Sequence, residues 1–170
     1  MARDDAAWQR LWKTLDVLER RARDLRRLSQ EEPLRQARPD YPSAHVGRSH
    51  DDEVRAVFAD LGAAFADASR LLPAVLPADA AGAGAPPDEA PAALAARLAA
   101  LEKLTAALTR EAFAPPPQLP PHAPPYLVTI PGNELPGSKA LLIAQGIDDA
   151  AASLRNAMLA AANSAAPGVR

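Results

Sequence analysis

Apolar residues recur every three or four positions in four separate stretches of this chain, a spacing that places them on one face of an α-helix. The first stretch predicts a helix over residues 4–30, and Trp12 and Leu28 widen its apolar face. Asp4 and Asp5 suit the positive N-terminal end of such a helix. The predicted core positions of this helix are Trp8, Leu11, Leu15, Leu18, Ala22 and Leu25.

The second stretch predicts a helix over residues 50–72, with Ser49 as its N-cap. Pro73 and Pro77 follow the stretch, and we expect them to end the helix because proline has no amide hydrogen. Gly62 lies in the middle and marks either a close helix contact or a tolerated weak point. The predicted core positions are Val54, Val57, Leu61, Ala64, Ala68 and Leu71.

The third and fourth stretches predict helices over residues 92–113 and 138–163. Alanine covers much of the third helix outside its leucine stripe, which is typical of a helix buried on more than one side. The leucine stripe consists of Leu94, Leu98, Leu101, Leu104 and Leu108. The fourth helix has an apolar face of Ile143, Ile147, Ala150, Leu154, Met158 and Ala161, and a polar face of Gln145, Asp148, Asp149, Arg155 and Asn156.

Long connections separate the four predicted helices. Pro33, Pro39 and Pro42 are expected to forbid a continuous helix in the first connection. In the last connection, residues 115–125 predict a stiff polyproline II spacer, and residues 126–130 have a strand-like composition. The three connections are residues 31–49, 73–91 and 114–137.

These patterns predict an all-α fold with a single helical domain over residues 1–170. We expect a three- or four-helix bundle with long Pro/Ala/Gly-rich connections. Alanine contributes 41 residues, and only 41 other hydrophobic side chains are available to fill a core. Such a thin core favours burial completed by a protein partner or by a homo-oligomer. The expected protein-contact residues are Trp8, Leu11, Trp12, Leu15 and Leu18; packing of the same residues within the chain's own core is the competing interpretation.

Charge and hydropathy predict where in the cell the protein is located. The net charge of −2 by itself indicates neither a nucleic-acid partner nor an acidic tail. The chain begins with an acidic segment, and three charges interrupt its most apolar window at residues 140–162. We therefore expect a cytoplasmic protein with no membrane partner. Sixteen Arg against three Lys, with abundant Ala and Pro, are typical of a GC-rich genome, and we expect a bacterial source.

Gly132–Lys139 is the sharpest candidate for chemistry, because an apolar run leads through two glycines into a predicted helix. The glycine spacing is that of a phosphate-binding loop, where a lysine precedes a serine or threonine. Here Ser138 precedes Lys139, which displaces both groups from the positions that hold phosphate and Mg²⁺. Two Pro-Gly turns and a serine N-cap explain the same residues.

Other reactive arrangements are weaker still. The absence of cysteine excludes disulfides, thiolate metal ligands and cysteine nucleophiles. His45, His50 and the acidic residues 51–53 could approach a cation, but helix capping explains this contiguous run better. Ser49, His50 and Asp51 are sequence neighbours whose side chains diverge, so they form no triad. We predict no catalytic, cofactor-binding or metal-binding residue.

Arginines on the first predicted helix form the best polar candidate. This basic line can follow a phosphate backbone, although Asp16, Glu19 and Asp24 interrupt it. The candidate nucleic-acid contacts are Arg20, Arg21, Arg23, Arg26 and Arg27. The sequence thus predicts a non-enzymatic helical interaction or scaffold protein that acts through protein–protein contacts. The alternative is a nucleic-acid-binding accessory protein that uses these arginines.

Overall fold

A computed structural model describes residues 5–37, 50–77, 90–114 and 135–165, and α-helix is the only regular secondary structure over these ranges. This confirms the all-α prediction and the presence of four helices. The predicted connections and the strand-like residues 126–130 lie largely or wholly outside the described residues. The helices are α1 (Asp5–Ala37), α2 (His50–Val75), α3 (Pro91–Ala112) and α4 (Gly137–Ala165).

Each helix packs against its two neighbours in the order α1, α2, α3, α4 and back to α1. Ion pairs give the directions: Arg21 on α1 meets Asp60 on α2, while the later Arg27 meets the earlier Glu53. Neighbouring helices therefore run antiparallel, which is the up-down-up-down arrangement of a four-helix bundle. The contacts of α4 with α1 and with α3 follow the same rule, since residue numbers rise on one helix as they fall on the other.

The core lies along the shared axis of the four helices, where the predicted apolar faces meet. All predicted core positions of α1 after Trp8 are buried, and Leu28 extends the column by one turn. Those of α2 are buried as well, with Phe65 among the largest fully buried side chains. On α4 the predicted face is buried from Ile143 to Met158, and Ala161 is partly buried at its end. The three-and-four spacing was thus sufficient to find most of the core.

The register of α3 differs from the predicted leucine stripe. Thr105 takes a buried position and Leu104 lies 55% exposed. The buried positions alternate steps of four and three, so the position after Leu101 in the core is 105 rather than 104. The Thr105 hydroxyl donates a hydrogen bond of 2.8 Å to the Leu101 carbonyl, which satisfies it inside the core. A threonine therefore occupies a place where the sequence pattern predicted leucine.

Two prolines expected to stop helices lie inside them. The helix α1 continues through Pro33 to Ala37, and α2 continues through Pro73 to Val75. Pro33 has no amide hydrogen to donate to the carbonyl of Ser29, four residues earlier. The Ser29 carbonyl lies beside the N-terminus of α4, because a Cβ on Gly137 would be 3.5 Å from its oxygen. The first amides of a helix have no acceptor within their own helix. Pro73 lies in the last turn of α2, two residues before the helix ends at Val75.

None of the helices described here is both long and apolar enough to span a membrane.

The two helix-interior glycines have different surroundings. A Cβ placed on Gly62 would meet no atom within 4 Å, so the close helix contact considered for this position is absent and Gly62 is simply a weak point of α2. A Cβ on Gly146 would lie 2.7 Å from Cδ2 of Leu101. Gly146 therefore lets α3 and α4 approach closely.

The Gly62→Ala substitution should raise the free energy of unfolding by about 0.5 to 1 kcal/mol, because alanine orders the helix at no steric cost. The matched Gly146→Ala substitution should bring no such gain, since buried Leu101 must move to admit the methyl group. Urea denaturation of both variants measures the difference. Equal gains at the two glycines would contradict the close approach of α3 and α4.

Candidate interaction surface

The residues predicted to contact a protein partner lie mainly in the chain's own core. Leu11, Leu15 and Leu18 are fully buried between α1 and its neighbours. Trp8 and Trp12 are half-buried and stack on each other, with ring centroids 5.1 Å apart and planes inclined by 16°. Both tryptophans pack against the core as part of one end of the bundle. This placement favours the competing interpretation of these five residues, in which they hold the chain's own fold.

Three of the five candidate nucleic-acid contacts are engaged in ion pairs between helices. Arg21 donates hydrogen bonds to Asp24 at 2.7 Å and to Asp60 of α2 at 2.5 Å. Arg26 pairs with Asp148 of α4, which lies on the other side of α1. Arg27 pairs with Glu31 of its own helix and with the buried Glu53 of α2. These guanidinium groups join helices, so their charge is already compensated.

The acidic neighbours raise the pKa of two of these arginines. Burial lowers the pKa of Arg27, but the hydrogen bonds and charges of Glu31 and Glu53 outweigh it and raise the pKa above its ordinary value. The same balance with Asp24 and Asp60 raises the pKa of Arg21. A base with a raised pKa loses its contribution to stability only as the pH rises through that pKa. The arginine half of each pair therefore stays charged throughout the neutral range.

Arg155 of α4 holds the opposite flank of α1. It donates hydrogen bonds to Glu19 and, at 2.6 Å, to Asp16, while its guanidinium carbon lies 5.2 Å from the Trp12 ring centroid. Burial lowers its pKa, but the hydrogen bonds and charges of these two carboxylates outweigh it and raise the pKa above the ordinary value. Asp16 and Glu19, which interrupt the basic line of α1 in the sequence, thus serve as partners for α4.

Arg20 and Arg23 remain exposed and make no ion pair with any residue that the structure describes. Arg20 borders a shallow open groove of about 330 Å³ between α1 and α2. The floor of this groove includes Val17 and Ala64, and its walls carry both signs of charge. Of the predicted basic line, these two arginines are left for an external contact.

Only the last part of the candidate phosphate-binding loop lies within the described residues. Gly132 lies outside the described residues, whereas Gly137 begins α4. The ammonium group of Lys139 donates to both carboxylate oxygens of Glu111 on α3, at 2.7 and 2.6 Å. The lysine that would have to reach a phosphate is therefore held by a neighbouring helix.

The histidines offer no gathered metal site where the structure describes them. His45 falls outside the described ranges, and His50 begins α2. Asp51, Asp52 and Glu53 occupy the first turn of that helix, where its dipole favours negative charge. Within the described ranges, no three His, Asp or Glu residues come together in a group that could hold a metal ion.

Large apolar side chains that the core leaves exposed occur at four described positions. They are Leu104 at 55%, Leu141 at 42%, Leu142 at 73% and Leu159 at 46% exposure. Isolated exposed leucines are ordinary on protein surfaces, whereas exposed leucines from two helices that lie side by side are typical of contact surfaces. Their arrangement therefore matters more than their number.

Leu104 lies on the flank of α3 that faces α4. Positions 97, 104 and 111 are seven residues apart and so share one stripe of the helix. Both outer members of this stripe contact α4, because Arg97 lies 3.7 Å from Asp149 and Glu111 holds Lys139. Leu104 falls midway between these two ion pairs.

Leu142 occupies the matching flank of α4. It follows Lys139 by three residues and precedes Gly146 by four, and both of these residues contact α3. Gly146 lies against Leu101, one turn before Leu104. Their positions therefore place the two exposed leucines on the flanks of α3 and α4 that border the seam between these helices. We call Leu104, Leu142 and the two flanking ion pairs, Arg97 with Asp149 and Glu111 with Lys139, the α3–α4 surface.

The remaining exposed leucines form no such cluster. Leu141 precedes Asp148 by seven residues and Leu159 follows Arg155 by four, so both lie on the α1 side of α4. They are five helical turns apart, or about 27 Å at 1.5 Å per residue. Each is a single apolar residue among polar neighbours.

The sequence did not reveal the α3–α4 surface, because the leucine stripe predicted for the core of the third helix included Leu104. One signal was available: the steps from Leu94 to Leu101 continue as 105, 108 and 112, which leaves Leu104 off the line. No protein-family model matches this chain, and no curated protein or solved structure is significantly similar to it. The fold defines the class of protein, an all-α helical bundle.

Replacing Arg27 with alanine should lower the free energy of unfolding by about 1 to 3 kcal/mol, since buried Glu53 loses an ion-pair partner. Replacing the exposed Arg20 with alanine should change it by less than about 0.5 kcal/mol. Urea denaturation at neutral pH compares the two. A cost for Arg20→Ala as large as that for Arg27→Ala would contradict the assignment of Arg27 as the helix-joining residue.

Proposed function

We propose that this protein is a non-enzymatic helical interaction or scaffold protein whose partner binds the α3–α4 surface. The observation that carries the proposal is the pair of leucines beside the seam between α3 and α4, Leu104 and Leu142, that remain more than half exposed. The chain has few large hydrophobic side chains, and most of those in the described helices are buried. Leaving two of them exposed side by side forgoes stability, which a bound partner would recover.

The surroundings of the leucines have the composition of a contact surface. Apolar residues lie in the middle, and ion pairs lie at both ends along the helix direction. An apolar centre with a polar rim is the usual anatomy of a protein interface. Ala100 and Ala107, exposed one turn on either side of Leu104, leave room for a partner's backbone to approach. These features support binding of another helix, which presents side chains at the same spacing.

The proposal moves the contact away from the residues expected from sequence. Leu11, Leu15 and Leu18 would have to leave the core to reach a partner. Each would then lose the burial that holds α1 to α2 and α4, at a cost of about 1.5 to 3 kcal/mol per side chain. The α3–α4 surface is available without any such rearrangement.

The test compares two double variants with identical changes in composition. In cells that produce the protein, the tagged chain should elute in complexes larger than the monomer, and the L104E/L142E double variant should shift toward the monomer. The control, L141E/L159E, introduces the same two charges on the α1 side of α4 and should leave the elution profile unchanged. Far-ultraviolet circular dichroism checks that both variants stay helical. Identical elution profiles for the two double variants would refute the proposal.

A second candidate function rests on Arg20 and Arg23, which stay exposed without an ion pair among the described residues. A nucleic-acid accessory role would use these two arginines on the outer face of α1. Two phosphate contacts would make log affinity fall with log salt at a slope of only about −2.

Fluorescence anisotropy with labelled duplex DNA and single-stranded RNA at rising salt distinguishes the two functions. We expect flat traces even at low salt, because most of the predicted basic line is neutralised within the bundle. Binding that disappears in the R20E/R23E variant but persists in R70E/R110E, a control of equal charge on other helices, would instead favour the accessory role.

A further inference from the structure

The charges on the α3–α4 surface change sign from one end of each helix to the other. On α3, Arg97 lies seven residues before Leu104 and Glu111 lies seven residues after it. The stripe is therefore positive at one end, apolar in the centre and negative at the other end. A stripe of this kind is complementary to an antiparallel copy of itself, because each charged end then meets the opposite charge.

Two charged residues on α4 repeat this change of sign along the helix direction. Lys139 near its start and Asp149 further along lie on either side of a midpoint at position 144. The two ion pairs between α3 and α4 set both midpoints at the same height along the bundle, since Arg97 meets Asp149 and Glu111 meets Lys139. A two-fold axis that runs perpendicular to both helices at this height therefore brings each of the four charged residues opposite a residue of the other sign in a second copy.

We propose that the partner of the α3–α4 surface is a second copy of this chain. In this dimer a two-fold axis crosses α3 at Leu104, so that α3 packs antiparallel to its counterpart. Arg97 of each copy then faces Glu111 of the other, and Asp149 faces Lys139. This inference rests on the proposed function and names its partner. Because a two-fold contact uses the same residues on both sides, one surface on one chain is sufficient to build it.

The side chains around the axis fit this arrangement. Leu104 of each copy reaches the other across the axis, and Ala100 and Ala107 flank it on both sides. Alanines at these positions let two helix backbones approach closely, whereas the exposed Gln145 on α4 is larger. The centre of the contact is therefore α3. The apolar part is small, so the dimer should be of moderate affinity, with a dissociation constant of about 1 to 100 μM.

The first experiment is sedimentation equilibrium of the purified full chain over a concentration range that spans this dissociation constant. The chain should sediment as a monomer–dimer equilibrium, and the L104E variant should weaken dimerisation by a factor of about 100 or more because two carboxylates meet at the axis. The L159E control should leave the dissociation constant unchanged. A purified chain that stays monomeric throughout, or a dimer that L104E does not weaken, would overturn the proposal.

The second experiment tests the axis with a charge swap. The double variant E111K/K139E keeps an ion pair between positions 111 and 139 of each chain. Across the axis, however, it sets a positive charge at position 111 against Arg97 of the other copy and a negative charge at position 139 against Asp149. Dimerisation should fall by a factor of about 10 or more, while the E102K/K103E swap, which lies off the stripe of Arg97, Leu104 and Glu111, should have no effect.

The charge swap also distinguishes the proposed axis from another one. An axis parallel to the helices would place α3 of one copy against α4 of the other, and the swap would then keep opposite charges together. A dimer unaffected by E111K/K139E would therefore rule out the α3-to-α3 arrangement.

The outcomes separate this inference from the proposed function. If the purified chain is monomeric but its large complexes in cells still depend on Leu104 and Leu142, the partner is a different protein. In that case the self-association proposal is refuted and the proposed function is not. If neither assembly depends on these leucines, both proposals fall.

Discussion

The structure depends on the burial of one apolar column on α1. Leu11, Leu15, Leu18 and Leu25 are fully enclosed because α2 and α4 pack on the two sides of this helix and α3 closes the ring. With 41 hydrophobic side chains other than alanine in the whole chain, few are available to replace them. The column therefore sets which face of α1 is inside, and the positions of the charged residues follow from that choice.

Charged residues on α1 join the helices that the apolar column brings together. Arg21 and Arg27 reach α2, while Arg26 and the acidic residues paired with Arg155 reach α4. Opposite charges at specific heights favour one antiparallel register over its shifted alternatives. Since these groups are partly buried, they are screened less than isolated surface pairs would be. A basic helix that resembles a nucleic-acid contact in sequence is thus used largely for assembly of the bundle.

On the opposite side of the bundle, α3 and α4 are joined by more exposed pairs and by the close approach at Gly146. Between these pairs the bundle leaves Leu104 and Leu142 uncovered. Apolar residues bracketed by charges of opposite sign suit a partner with the reverse order of charges. The chain itself is such a partner when turned end for end, which connects the proposed interaction function to self-association.

The sequence by itself determined the four helices and most of their buried faces, because three-and-four spacing is a local property of each segment. It did not determine the continuation of α1 through Pro33, since the carbonyl that proline leaves without a donor lies beside a helix distant in sequence. Nor did it separate Thr105 from Leu104 or the helix-joining arginines from the exposed ones. Those outcomes depend on how helices rotate and align against one another, and only the tertiary structure decides which neighbour each side chain meets.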